Sequence, residues 1–95
     1  MSQSSFPKAE HVAALHEHIL QKASESGLEL EVADAGLDRY RCQYRLRLKC
    51  QATDWSEEIA VHFQAAENLL AGKSVEALER QLAEVFRQCR SAMEG

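Results

Sequence analysis

The chain reads as a small α+β domain, a two-layer αβββα sandwich in which a three-stranded antiparallel meander carries two helices on one face. Three observations predict it. Apolar residues recur at three- and four-residue steps near both ends of the chain and at two-residue steps in the middle. Each of the five segments has a single apolar side, so two layers around one core are the economical packing. The length, 95 residues, fits one domain spanning residues 1–95. Such a domain buries roughly 60–65% of its unfolded surface. Residues 1–5 are polar and uncharged and are expected to be disordered.

The first helix is expected over residues 8 to about 26. Pro7 suits its first turn, where a missing N–H costs nothing. Val12, Leu15, Ile19 and Ala23 define its apolar face, Ala13 and Leu20 widen it, and Gly27 is a natural stop.

The period then changes. Leu28, Leu30 and Val32 alternate with Glu29, Glu31 and Ala33, which predicts a first strand. Residues 34–38 contain Gly36 and read as the loop that follows. Tyr40, Cys42, Tyr44, Leu46, Leu48 and Cys50 alternate with Arg41, Gln43, Arg45, Arg47 and Lys49, the clearest alternation in the chain. It predicts a long middle strand with one buried face. Thr53-Asp54 reads as a turn, and Trp55, Ile59, Val61 and Phe63 as the inward side of a third strand. Glu57 falls on that apolar side but near the strand's start, within reach of water.

These turns imply registers. Lys49 is expected opposite Glu58, Arg45 opposite His62 and Glu31 opposite Arg41, with Leu48 facing Ile59, Leu46 facing Val61 and Leu30 facing Cys42. A short helical turn over residues 65–71 ends at Gly72. Ser74 is then the expected N-cap of the last helix. Val75, Leu78, Leu82, Val85, Phe86, Cys89 and Met93 form that helix's stripe, and Glu76 supports Arg80 one turn on.

Composition narrows function. No apolar run approaches the roughly 20 residues of a membrane span. The opening residues lack the basic and apolar parts of a secretory signal, so a cytoplasmic location is expected. The three cysteines, Cys42, Cys50 and Cys89, form no disulfide framework and read as reduced, buried thiols. Cys42 and Cys50 would stand about 26 Å apart on one strand and share no disulfide or metal; Cys89, on the last helix, is free to approach one of them, and core packing is the plain reading of all three.

The net charge of -4 argues against general nucleic-acid binding. A local basic stripe does exist: Arg39, Arg41, Arg45, Arg47 and Lys49. Its plain reading is a solvated sheet face neutralised by acids on both flanking strands. Its functional reading makes Arg41, Arg45, Arg47, Lys49 and His62 a binding surface for a protein partner, a second copy of the chain, an anion or RNA. RNA is the less favoured partner, because RNA-binding sheets expose aromatic rings for stacking. Here Tyr40, Tyr44, Trp55 and Phe63 are all expected on the buried face.

The order of elements resembles that of the double-stranded-RNA-binding domain. That resemblance implies RNA contact from the first helix, a strand hairpin and a lysine-rich start of the last helix. The matching stretch, Gly72-Lys73-Ser74-Val75-Glu76-Ala77, carries one lysine and a glutamate, so no functional residue is carried over.

No residue spacing matches a metal or cofactor site, and none is expected. His11, His16 and His18 lack the four-residue spacing of a zinc-binding helix and read as a solvated face, with His16 nearest the apolar stripe. Gly72-Lys73-Ser74 lacks the earlier glycine of a phosphate-binding loop, since that position is Glu67. No nucleophile motif is present. The leading expectation is therefore a small non-catalytic binding or adaptor domain acting through its open sheet face or a strand edge. The alternatives are weak RNA or anion binding by the basic strand, and an enzyme pocket using His16 or Glu57.

Overall fold

The computed structural model describes residues 9–94. In chain order the elements are α1 (Ala9–Glu25), β1 (Leu30–Asp38), β2 (Gln43–Cys50), β3 (Ser56–His62), α2 (Phe63–Leu70) and α3 (Glu76–Glu94). The strands form one antiparallel sheet in the order β1-β2-β3. The fold is thus α+β with a three-stranded meander. The expected short turn after the third strand is a helix of 8 residues, α2. The expectations for residues 1–5 and for Pro7 lie outside the described residues.

Alternation sets the sheet's two sides. Tyr44, Leu46, Leu48 and Cys50 of β2 are buried, whereas Arg47 and Lys49 are exposed and Arg45 is half-buried. The buried side chains join Leu15, Ile19 and Ala23 of α1, Ala66 of α2 and Leu78, Leu82, Val85, Phe86 and Cys89 of α3 in one core. Leu15, Ile19, Leu46, Leu48, Leu78 and Leu82 are fully buried. Each contributes about 1.5–3 kcal/mol relative to exposure.

The termini of α1 and α2 close in the same way. Gly27 adopts φ 75°, its N–H donates to Ser24 O, and Leu28 N–H reaches back to Ala23 O at 2.8 Å. A side chain at that position would strain the left-handed backbone that lets both bonds form. Gly72 N–H donates to Leu69 O and Lys73 N–H to Asn68 O. These amides are consumed in closing α2, so Gly72-Lys73-Ser74 is no phosphate cradle. The last helix begins later than expected. Val75 O accepts its first helical bond, from Glu79 N, which puts Ser74 one residue ahead of the cap position. Ser74 makes no side-chain capping bond among the described residues.

Both expected registers are displaced. Residues 34–38 are not a loop: β1 runs on to Asp38, with a bulge between Asp34 and Gly36. The chain reverses at residues 39–42, where Cys42 takes φ 57°. Glu31 therefore pairs with Lys49 rather than Arg41, and Leu30 with Cys50 rather than Cys42. Arg47 sits opposite Glu58, Arg45 opposite Ala60, Leu46 opposite Ile59, and His62 opposite Gln43. Up to the bulge each displacement is an even number of residues, so the residues expected in strands keep their expected faces.

The corrections to the expected core follow from the same geometry. Tyr40 falls in the turn and is 97% exposed. Cys42 is likewise exposed there, not a core thiol. Phe63 is buried but opens α2 instead of ending β3. Leu20 and Met93 are exposed at the margins of their helices. Glu57 is exposed at the start of β3, as its position there implies.

Candidate interaction surface

The basic stripe comes from two places. Arg45, Arg47 and Lys49 project from β2 on the side away from the core, and Arg41 lies in the turn before it. Arg45 is held by two carboxylates: Glu58 Oε1 at 2.9 Å from β3 and Asp38 Oδ2 at 3.7 Å from β1. The hydrogen bond and charge of Glu58 raise the Arg45 guanidinium above its ordinary value, and the Arg45 hydrogen bond holds Glu58 below the usual carboxylate range. Asp38 also anchors the turn, accepting from Arg41 N–H at 3.0 Å. Arg47 and Lys49 have no carboxylate within ion-pair distance among the described residues. His62 is committed elsewhere: its Nδ1 accepts from Gln64 N–H at 2.9 Å and caps α2. The five residues named from sequence do not converge on one anion-sized site.

The three histidines of α1 are not a solvated face. Each bonds a different element. His11 is fully buried, with Nδ1 2.6 Å from the Tyr44 hydroxyl and Nε2 2.7 Å from Glu67 Oε1. His16 Nε2 meets Asp34 Oδ1 of β1 at 2.9 Å, and His18 Nε2 meets Glu79 Oε2 of α3 at 2.7 Å. They diverge rather than gather, and among the described residues no group of three or more His, Cys, Asp or Glu could hold a metal ion. No hydropathy period reveals a buried imidazole. The sequence signal was only that His11 precedes Leu15, Ile19 and Ala23 at four-residue steps.

Cys50 and Cys89 are both buried and lie near enough for each to shift the other's thiol. Burial, helped by the Cys50 contact, pushes the Cys89 thiol up to about 11. At Cys50 burial also acts upward, but hydrogen bonds from Cys89, Thr53 and the backbone of Ala52 and Thr53 outweigh it and leave that thiol below its ordinary value. Of the other two thiols, Cys89 is the one that approaches Cys50.

The least committed part of the molecule is β1. Ala33 to Leu37 are all exposed, and among the described residues the strand has a neighbour on one side only. Gln51 N–H donates to Glu29 O, which continues the β1–β2 register and fixes its phase. The amides and carbonyls of Glu31 and Ala33 face β2, and those of Leu30, Val32, Asp34 and Leu37 face outward. Among the described residues no other element hydrogen-bonds those outward groups. The opposite edge is different, because Gln81 Nε2 of α3 donates to Ala60 O of β3 at 3.0 Å.

An apolar cavity of about 370 Å³ lies beside this edge, lined by Val12, Ala35, Leu37, Tyr44, Leu46 and the stem of Arg45 among others. The bulge at Gly36 shapes its rim. Glu57 lines a smaller recess of about 190 Å³ between β3 and α3, which does not include His16. Among the described residues no helix is long and apolar enough to cross a membrane. No known protein-family model, curated protein or solved structure matches the chain.

Proposed function

We propose that this domain is a non-catalytic binding module that accepts an extended polypeptide segment along the outer edge of β1. The observation that carries the reading is the run of outward main-chain groups at Leu30, Val32, Asp34 and Leu37, which have no partner among the described residues. An exposed strand edge is a template for another strand. In strand addition the main-chain hydrogen bonds supply affinity, and pockets for alternate side chains supply selectivity. The apolar cavity beside Val12 and Leu37 is in position to be such a pocket.

The reading in which the basic strand binds RNA or anions has less support. Its central cation, Arg45, is neutralised by Glu58 and Asp38. Among the described aromatic residues only Tyr40 is well exposed, and it stands in the turn rather than on the sheet face. The enzyme reading also has less support: His16 and Glu57 lie apart, and no nucleophile motif is present.

Amide exchange tests the proposal. In the free protein Val32 and Asp34 should exchange fast, and Glu31 and Ala33, which donate into the ladder, slowly. Extended peptides capable of strand pairing should slow exchange at Val32 and Asp34 and shift their amide resonances. If no peptide of any composition moves these amides, the reading is wrong. If duplex or single-stranded RNA shifts Arg47 and Lys49 at low salt instead, the basic-strand alternative replaces it.

A further inference from the structure

Strand addition leaves open what kind of segment the edge selects. The residues flanking it are unusual in composition. The stretch from 29 to 38 contains Glu29, Glu31, Asp34 and Asp38 and no Lys, Arg or Pro. Edge strands are more often guarded by lysine or proline. Two of these carboxylates are occupied: Asp34 by His16, and Asp38 by Arg45 and Arg41. Glu29 and Glu31 are exposed and form no ion pair among the described residues. Both project on the outer side of the sheet, next to the open main-chain groups of Leu30 and Val32.

We infer that the segment taken up by β1 alternates basic and aliphatic residues, its Lys or Arg side chains lying opposite Glu29 and Glu31 and its aliphatic ones beside Val32 and the apolar cavity. This rests on the strand-edge reading above.

Residues opposite one another in a ladder share a face. An incoming strand therefore sets one row of side chains beside Glu29 and Glu31, and the other beside Val32, Val12 and Leu37. The first row meets carboxylates that form no ion pair among the described residues, although Lys49 stands across the ladder from Glu31. The second meets partly buried apolar surface. The strand that β1 pairs with among the described residues obeys the same rule: β2 alternates Arg45, Arg47 and Lys49 with Tyr44, Leu46 and Leu48. The cations of β2 act from farther away: an added strand lies about 10 Å from β2, two strand spacings, and about half that from Glu29 and Glu31.

The same carboxylates disfavour a second copy of the chain as occupant. Two antiparallel β1 strands would bring two acidic edges together with no cation on either. Opposed like charges destabilise a strand pair.

The test uses the whole chain and three blocked eight-residue peptides, alternating valine with lysine, with serine and with glutamate. Binding is read from the amide shifts of Leu30, Val32 and Asp34 at low ionic strength. The lysine peptide should bind tightest, about two- to thirtyfold better than the serine peptide, the range that two cross-strand charge pairs supply. The glutamate peptide should bind worst. E29Q combined with E31Q should bring the lysine peptide down to the serine value, and added salt should do the same. Both glutamates are exposed, so this variant keeps the fold.

If all three peptides bind equally, the edge accepts strands but the charge inference is wrong. If none binds, the strand-edge reading has failed and takes this inference with it. V32P removes an outward N–H without touching the β1–β2 ladder and should abolish binding of every peptide. A dimer of the free chain that V32P dissolves would identify the occupant as a second copy and overturn the inference.

Discussion

His11 and Glu67 are 56 positions apart in sequence, yet His11 Nε2 lies 2.7 Å from Glu67 Oε1. The contact joins α1 to α2, and the Tyr44 hydroxyl on Nδ1 extends it into the sheet. The two contacts fit one imidazole: Nε2–H donates to the carboxylate, and Nδ1 accepts from the phenol. Tyr44→Phe removes one partner of a fully buried ring nitrogen. The expected loss is about 1–3 kcal/mol of unfolding free energy. A double-mutant cycle with His11→Leu should show that the two residues are coupled. Additive effects in urea denaturation would mean the contact contributes nothing.

Leu46 is 1% exposed at the centre of the sheet's inner side. Leu46→Ala should cost about 2–5 kcal/mol, the range for an aliphatic side chain deleted from a packed core. Leu37→Ala, at 38% exposure, should change stability by less than about 0.5 kcal/mol. Equal losses at the two sites would contradict the sidedness of the sheet.

Arg45 and Glu58 predict a pH dependence. Glu58 is held below its ordinary value in the folded protein, chiefly by the Arg45 hydrogen bond. Its contribution is therefore complete above the unfolded carboxylate range and disappears as pH falls through the lowered folded value. The urea midpoints of the wild type and Glu58→Gln should differ at neutral pH and converge in strong acid. A gap that persists in acid would show that the residue acts by packing rather than charge.

Cys42 is the exposed thiol and takes φ 57°. A thiol-reactive disulfide reagent should modify one cysteine rapidly in the native protein, and Cys50 and Cys89 only on unfolding. Left-handed backbone costs a non-glycine residue about 1–2 kcal/mol. Cys42→Gly should thus stabilise the protein, less the added freedom of the unfolded chain. A lowered melting temperature in this variant would rule out that turn conformation.

His62 caps α2 through Nδ1. His62→Ala should lose about 0.5–2 kcal/mol and His62→Asp should keep most of the capping, both read by thermal melts at neutral pH. If alanine is as stable as histidine, the cap is not formed.

Period and sidedness were legible in the sequence, because alternation depends only on parity. The turns were not. Gly36 looked like a loop residue, but it serves a bulge inside β1, and the reversal falls on Arg39-Tyr40-Arg41-Cys42, which contains no glycine. A hydropathy pattern constrains register only modulo two, so it fixed faces and left partners open. Lys49 therefore gained Glu31 as its cross-strand neighbour in place of Glu58, on the same side of the sheet. The buried His11 was hidden for another reason. Its cost is offset by Tyr44 and Glu67, residues 33 and 56 positions away, and nothing local announces them. The unpaired edge of β1 was visible only as a strand at the end of a meander. Which of its amides face outward required the phase that Gln51 and Glu29 supply.

The three imidazoles of α1 reach α2, β1 and α3 separately. A cylinder moored at three bearings cannot roll about its own axis without casting off every line at once. This helix is therefore a fixed post and not a flap. A segment added at the neighbouring strand would meet a wall already standing, and its shape would have to fit that wall as well as its charge the edge.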